Sequence, residues 1–182
     1  MSFFQTALLH DPEKESRFLS EPPPAGNPRR SWPGRHAGVL RDPRQIPAGA
    51  RKILLGYSLG SGVLLDAISG FAVQPDGVTL AAAYTSGRDA AVCLGPLPSW
   101  LTWVIPDVYN NVQAVRRLSL PLLIIHSRAD RLFPTWMPAK MLAAAAGPKS
   151  LVMLEGLEHG DMVDGKAAEY LAPLIESNFP PE

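Results

Sequence analysis

The fold is decided by the stretch Lys52-Ile53-Leu54-Leu55-Gly56-Tyr57-Ser58-Leu59-Gly60-Ser61-Gly62. Its first half is a continuous apolar run, which predicts a buried strand at Lys52–Gly56. Its second half is a G-x-S-x-G turn of small residues, and Val63–Ile68 after it reads as a helix. A sharp turn from strand to helix brings backbone close to backbone, so the positions around Ser58 must be small. Three glycines are predicted to meet that need: Gly56, Gly60 and Gly62.

Further apolar runs and helical segments follow this turn along the chain. Strands are predicted at Val78–Tyr84, Leu122–His126 and Leu151–Leu154, and helices at Thr135–Ala146 and Gly165–Asn178. Strands that alternate with helices indicate an α/β fold with a mostly parallel sheet. The strands are continuously apolar rather than alternating, which favours a sheet covered by helices on both faces.

Residues 1–50 have a different composition from the rest of the chain. The chain contains 19 prolines, and they concentrate in this segment. Proline fixes φ and removes an amide donor, so the segment resists both helix and sheet. We therefore predict two parts: an irregular proline-rich segment at 1–50, with a short helix near Phe4–Leu9, and a core at 51–182.

Composition excludes several classes of protein and site. Lys and Arg number 17 and Asp and Glu number 17, so the balanced charge gives no reason to expect nucleic acid as a partner. A single cysteine, Cys93, excludes a disulfide framework and a cysteine-built zinc site. No apolar stretch approaches the roughly 18–20 residues of a membrane span, and Met1–Leu9 lacks the basic start of a signal peptide. We expect a soluble, cytoplasmic protein without a metal or organic cofactor.

Two loops carry side chains that would activate a serine. A serine hydroxyl needs a histidine base, and the histidine needs a carboxylate that fixes its tautomer. Asp130 follows the predicted strand Leu122–His126, and His159 follows the predicted strand Leu151–Leu154. Both loops fall at the carboxyl edge of a parallel sheet, where α/β folds place their sites. The predicted catalytic residues are therefore Ser58, Asp130 and His159.

The other candidates for the base and the acid are weaker. His126 lies at a strand end, where a packing or turn role is expected. Glu158 and Asp161 are rival acids beside His159, but close neighbours in sequence rarely face each other correctly.

Three further segments resemble sequence motifs of a known protein family. Tyr84–Asp89 is similar to a T-S-x-x-D segment, Leu120–Pro134 to a P-x-L-x-I-H-G-x-x-D-x-x-V-P segment, and Pro148–His159 to a P-K…G-x-x-H ending. With the G-x-S-x-G turn, residues 51–182 resemble the C-terminal part of the α/β-hydrolase-fold serine hydrolases, in their esterase and thioesterase-like branch. The resemblance implies Ser58 as nucleophile, Asp130 as acid and His159 as base. Ser61 and Ser127 replace glycines of the family, and both small substitutes are expected to be tolerated.

The N-terminal side departs further from that family. A His-Gly type loop after the third strand normally supplies one oxyanion amide, and the residue after the nucleophile, here Leu59, supplies the other. Only 57 residues precede Ser58, and His36-Ala37-Gly38 is a poor substitute for that loop. The fold is therefore predicted to be shortened at its N-terminal side. The predicted strand Lys52–Gly56, just before Ser58, would then become an apolar edge, which favours a homodimer or aggregation.

The expected substrate is a small-molecule ester or thioester. Leu94–Asn111 is apolar, aromatic and proline-punctuated, so it is predicted as a cap over the site; ordinary core covering is the alternative. Tyr57, Trp100 and Trp103 are the predicted substrate-binding residues, and Phe133 and Trp136 are candidates for the same pocket. The predicted function is a serine hydrolase that forms an acyl-enzyme. The alternative is a truncated, weakly active or non-catalytic relative that serves as a binding or dimerising module.

Overall fold

A computed structural model describes residues 7–8, 51–70, 74–95, 99–104, 107–163 and 167–180. Within these ranges five parallel strands form one sheet, in the same order in space as along the chain. The strands are β1 (Ala7–Leu8), β2 (Ile53–Tyr57), β3 (Gly77–Ala81), β4 (Leu122–Ser127) and β5 (Lys149–Leu154). The α-helices are α1 (Leu59–Ala67), α2 (Gly87–Leu94), α3 (Asn111–Arg117), α4 (Trp136–Ala144) and α5 (Ala167–Asn178).

The two faces of the sheet pack against different helices. Successive side chains of a strand point to opposite faces, so Leu54 and Ile124 belong to a cluster with α1, α3 and α4. Leu55 and Ile125, one residue along each strand, belong to a second cluster with α5 on the other face. The continuous apolar strands are thus explained by helices on both faces, as the sequence predicted.

The first strand differs from the sequence prediction. Ala7 and Leu8 pair in parallel with Leu54 and Leu55, so this position is a strand rather than part of a short helix. β2 is consequently paired on both sides at this level and is not the open edge that we predicted. A strand of two residues is too short to show a periodic pattern in the sequence, and β1 is recognised by its pairing with β2. The predicted irregular course of residues 1–50 and the segment His36-Ala37-Gly38 lie outside the described residues.

Two helices were missing from the sequence prediction, and each begins with a side-chain cap. The Ser86 side chain accepts a hydrogen bond of 3.1 Å from the amide of Asp89, which starts α2. The Asn110 side chain accepts one of 2.9 Å from the amide of Gln113, which starts α3. Such caps satisfy amides that the first helical turn leaves without partners. A 3-10 helix at Ser99–Val104 lies between α2 and α3, within the predicted cap.

Within the described ranges, no helix is both long enough and apolar enough to cross a membrane.

Candidate active site

Ser58 occupies a strained turn between β2 and α1. Its backbone angles are φ 46° and ψ −121°, a conformation that costs a non-glycine residue about 1–3 kcal/mol. The amide of Ser58 donates to the carbonyl of Ala81 at 3.0 Å, which ties the turn to the end of β3. A Cβ atom on Gly56 would lie 2.9 Å from the Cα of Ser61, so the tight turn requires glycine there. The strand-turn-helix context predicted for Ser58 is therefore present.

The other two glycines of the turn differ in their steric roles. A Cβ on Gly62 would lie 2.2 Å from the hydroxyl oxygen of Tyr84, so close packing excludes a side chain there. A Cβ on Gly60 would meet nothing within 4 Å. The predicted steric need for glycine at position 60 is therefore wrong, because that position faces open space.

Three loops bring Ser58, His159 and Asp130 together. The Ser58 Oγ lies 2.9 Å from the Nε2 of His159. The Nδ1 of His159 lies 2.8 Å from the Oδ2 of Asp130. The three residues follow β2, β5 and β4, whose carboxyl ends meet at one edge because the strands are parallel. The result is a continuous hydrogen-bonded chain from hydroxyl to imidazole to carboxylate.

Asp130 is held ionised inside this chain. Its side chain is 0% exposed, and its Oδ1 accepts hydrogen bonds from the amides of Leu132 at 2.8 Å and Phe133 at 2.9 Å. Burial by itself raises the pKa of this carboxyl, but the hydrogen bonds from His159 and the two amides outweigh burial and hold the pKa below its usual value. An ionised Asp130 accepts a proton-bearing Nδ1, which leaves the Nε2 lone pair facing Ser58.

The rival acids are turned away from the imidazole. The Oδ2 of Asp161 accepts a hydrogen bond of 2.7 Å from the amide of Glu158. The Glu158 carboxylate is exposed and lies 3.6 Å from the guanidinium of Arg131. Asp130 is therefore the carboxylate bonded to His159, in agreement with the order of loops in the sequence.

His126 has the structural role that was expected for it. It is completely buried in β4, and its Nε2 lies 2.9 Å from the carbonyl oxygen of Phe133. Burial lowers the pKa of this imidazole, against the raising effects of the Phe133 carbonyl and Asp130. A neutral His126 thus braces the loop that carries Asp130.

Two aromatic residues hold the His159 ring. The Tyr57 hydroxyl donates to the backbone carbonyl of His159 at 2.8 Å, and the two rings lie 5.4 Å apart. The Phe133 ring meets the imidazole edge-on at 5.0 Å and is 2% exposed. Tyr57 was predicted to bind substrate, but its hydroxyl is bonded to the main chain of His159.

The remaining predicted substrate residues lie in three different elements. Leu59 is the first residue of α1 and its side chain is 59% exposed. Trp103 is 73% exposed in the 3-10 helix Ser99–Val104, which also contains the backbone of Trp100. The side chain of Trp100 lies outside the described part of the chain. Trp136 is 47% exposed at the start of α4, with the Lys140 ammonium 5.5 Å from its ring centre.

A buried polar pair next to Ser58 was missed by the sequence analysis. The Ser61 hydroxyl donates to the carbonyl of Ser58 at 2.6 Å. The Asn111 Nδ2 donates to the Ser61 Oγ at 3.2 Å and to the carbonyl of Tyr84 at 2.8 Å. Ser61 and Asn111 are 50 residues apart, so no local pattern could have linked them. Only the departure of Ser61 from the glycine of the family marked the position.

In the described part of the chain, no group of three or more His, Cys, Asp or Glu side chains is arranged to hold a metal ion.

Sequence comparison finds relatives that match part of the chain. No family model matches the chain. The uncharacterized protein Rv2307c of Mycobacterium tuberculosis (strain ATCC 25618 / H37Rv) is 31% identical over 122 residues, which are 64% of this chain and 41% of that protein. The uncharacterized protein YfhR of Escherichia coli K12 is 29% identical over 113 residues, 61% of this chain and 39% of that protein. The chain thus spans about two fifths of the length of these curated relatives.

Structural comparison identifies the fold. The esterase domain of a Rhodothermus marinus protein gives a TM-score of 0.55 at 20% identity, over 69% of this chain and 59% of that one. An alpha/beta hydrolase, MGS-MChE2, from a Mar Chica lagoon sediment metagenome gives 0.50 at 15%, over 71% and 63%. The Pyrococcus horikoshii acylaminoacyl peptidase gives 0.55 at 13%, over 75% and 25%. The chain therefore has the α/β-hydrolase fold, which confirms the predicted fold class.

Proposed function

We propose that this protein is a serine hydrolase that cleaves carboxylic esters or thioesters through an acyl-enzyme on Ser58. The observation that carries the proposal is the hydrogen-bonded chain from Ser58 through His159 to Asp130. An isolated serine hydroxyl is a weak nucleophile, whereas this arrangement removes its proton during attack. The reaction class of the structural neighbours supports the proposal as an analogy from fold.

Acylation would begin with attack of the Ser58 Oγ on the substrate carbonyl carbon. The serine proton passes to the Nε2 of His159 as the bond forms. Asp130 stays ionised, keeps the imidazole oriented and stabilises the imidazolium. His159 then gives the proton to the departing alkoxide or thiolate, and the acyl group remains on Ser58.

Deacylation would repeat these steps with water as the nucleophile. His159 takes a proton from water, which attacks the acyl carbon, and the acid product leaves as Ser58 recovers its proton. In both halves the carbonyl oxygen becomes negative. The Leu59 amide, at the positive end of α1, is the proposed donor to that oxygen.

The substrate would present an apolar acyl portion. Leu59 follows the nucleophile directly, and the exposed Trp103 lies in the segment between α2 and α3. Exposed large apolar side chains of this kind favour contact with a ligand. We assign Trp100 and Trp103 to the acyl contact, with a packing role as the alternative.

Labelling with a fluorophosphonate probe tests the proposal without knowledge of the substrate. The phosphorus reacts with an activated serine oxygen and loses fluoride, so the wild-type protein should become labelled at Ser58. Ser58→Ala should abolish labelling. Ser177→Ala, which removes an exposed hydroxyl on α5, is the control and should be labelled like wild type.

The same experiment separates the second candidate function. The second candidate is a binding or dimerising module, in which Ser58 would not act as a nucleophile. A folded wild-type protein that resists the probe would support the module. Labelling that persists in Ser58→Ala would place the nucleophile elsewhere.

A further inference from the structure

We propose that Ser61 and Asn111 are positioning residues that orient and polarise the Leu59 amide, the oxyanion donor of the proposed reaction. The inference rests on the proposed function, since it concerns the same site. It assigns a task to a serine that stands where the family commonly has glycine. Neither residue would touch the substrate.

The backbone carbonyl of Ser58 accepts two hydrogen bonds, both from Ser61. It accepts the amide of Ser61 at 3.0 Å and the hydroxyl of Ser61 at 2.6 Å. The amide bond belongs to the backbone of the first helical turn and would survive in glycine. The hydroxyl bond depends on the Ser61 side chain, which is 0% exposed.

The planar peptide group couples the Ser58 carbonyl rigidly to the Leu59 amide. The carbonyl of Ser58 and the amide N–H of Leu59 belong to one trans peptide, so they point in opposite directions. Fixing the carbonyl therefore fixes the direction of the N–H. A hydrogen bond to the carbonyl also strengthens the N–H as a donor, by about 10–30% through hydrogen-bond cooperativity. The Ser61 hydroxyl thus bonds to the carbonyl edge of this peptide, whereas the oxyanion would bond to the N–H on the opposite edge.

The orientation of the Ser61 hydroxyl itself depends on Asn111. A hydroxyl has one proton to donate. The Ser61 Oγ already accepts a hydrogen bond of 3.2 Å from the Asn111 Nδ2, so its own proton is not directed there. The single proton is thereby directed to the carbonyl of Ser58. Asn111 is 1% exposed and is fixed by its second bond, to the carbonyl of Tyr84 at 2.8 Å. The peptide after the nucleophile is in this way anchored to the loop that follows β3 and to the start of α3.

The strained backbone of Ser58 explains why this anchoring would matter. Ser58 has a φ of 46°, and a strained conformation persists only where its surroundings over-determine it. Loss of the Ser61 hydroxyl would let the peptide between Ser58 and Leu59 tilt toward a relaxed geometry. An oxyanion donor must lie within about 2.7–3.1 Å of the developing charge, so a small tilt weakens it.

The test compares Ser61→Ala with wild type in hydrolysis of p-nitrophenyl acetate and in inhibition by a trifluoromethyl ketone. The ketone carbon bonds to the Ser58 Oγ, its oxygen becomes the anion, and His159 holds the serine proton. We expect kcat to fall about tenfold, part of the 10²–10³ that removal of a whole oxyanion donor costs. The inhibition constant of the ketone should rise by a similar factor, while KM changes little.

Matched variants decide between positioning and simple packing. Thr79→Val removes another completely buried hydroxyl, one without a hydrogen-bond partner among the described residues, and should leave kcat unchanged. Asn111→Ala should lower kcat in the same direction, and the double variant should be no slower than Ser61→Ala. If Ser61→Ala does not fold, Ser61→Gly, the residue common in the family, carries the same expectation.

Each outcome has a distinct meaning. An active wild type whose kcat and ketone inhibition are unaffected by Ser61→Ala would overturn the inference and leave the proposed function intact. A fall in kcat matched by a fall in melting temperature, without weaker ketone binding, would also overturn it. A wild type that neither hydrolyses the ester nor reacts with the fluorophosphonate would overturn the proposed function, and the inference with it.

Discussion

The carboxylate of Asp130 accepts three hydrogen bonds, one from the ring of His159 and two from backbone amides. Asp130→Asn keeps the size of the side chain but replaces an acceptor oxygen with an NH₂ donor. That donor would favour the His159 tautomer whose Nε2 carries the proton and cannot accept one from Ser58. Turnover of p-nitrophenyl acetate should therefore fall by roughly 10⁴, the loss known for this change in a serine protease triad.

Asp161→Asn is the matched control for that variant. The Asp161 carboxylate accepts the amide of Glu158 at 2.7 Å and does not bond to His159. Its replacement should lower turnover far less than Asp130→Asn does. The reverse ranking would move the acid to Asp161.

Tyr57 offers a prediction about the backbone of the proposed base. Tyr57→Phe removes the hydroxyl that donates to the His159 carbonyl at 2.8 Å, while the ring contact remains. Such a hydrogen bond is worth about 1 kcal/mol, so a less well positioned imidazole should reduce kcat about fivefold. KM for p-nitrophenyl acetate should stay close to the wild-type value.

Tyr170→Phe serves as the comparison for Tyr57→Phe. The Tyr170 hydroxyl donates to the carbonyl of Asp161, two residues beyond His159 in the same loop. We expect Tyr170→Phe to lower the melting temperature and to affect kcat less than Tyr57→Phe. Equal effects of the two variants on kcat would mean that the loop as a whole, and not the His159 carbonyl, is what matters.

Sequence reasoning at the scale of residues found the groups that sit in local motifs. Ser58 lies in G-x-S-x-G, and Asp130 and His159 each follow their own strand, so order along the chain was enough to single them out. The Tyr57 bond to His159 joins residues 102 apart and the Asn111 bond to Ser61 joins residues 50 apart. Contacts of that kind follow from the folded sheet and leave no periodic signal.

Elements were predictable where burial imposes a pattern. β2 to β5 were all expected from apolar runs, with boundaries that shifted by a few residues. α1 begins at Leu59, earlier than predicted, because the small residues that were interpreted as a turn already form its first helical turn. α2 and α3 were missed, although Ser86 with Asp89 and Asn110 with Gln113 are capping pairs that the sequence displays.

The segment between α2 and α3 carries a prediction about specificity. Trp103 is 73% exposed in its 3-10 helix, which leaves a large apolar surface for an acyl chain. Replacing Trp100 and Trp103 together by alanine should change the ratio of kcat/KM between long and short p-nitrophenyl esters. An unchanged ratio would assign this segment to packing alone.

At the scale of the whole molecule, the sheet includes a strand that is distant in sequence from its partner. β1 pairs with Leu54 and Leu55 of β2, although the chain between them runs from residue 9 to residue 52. β2 was predicted to be an edge because no apolar run of ordinary length precedes it. The length of β1 explains that error, since two residues contribute hydrogen bonds without a recognisable pattern.

Pairing with β1 changes what is expected of self-association. An unpaired apolar strand offers free amides and carbonyls to a second copy of the chain, whereas a paired strand does not. Replacing both Ala7 and Leu8 by proline removes their amides and constrains φ, so β1 should separate from β2. Sedimentation at micromolar concentration should then show dimers or larger species that wild type lacks. Leu8→Ala, which keeps the amide, is the control and should sediment like wild type. A wild-type homodimer that persists unchanged in the proline variant would show that association uses a surface other than the β2 edge.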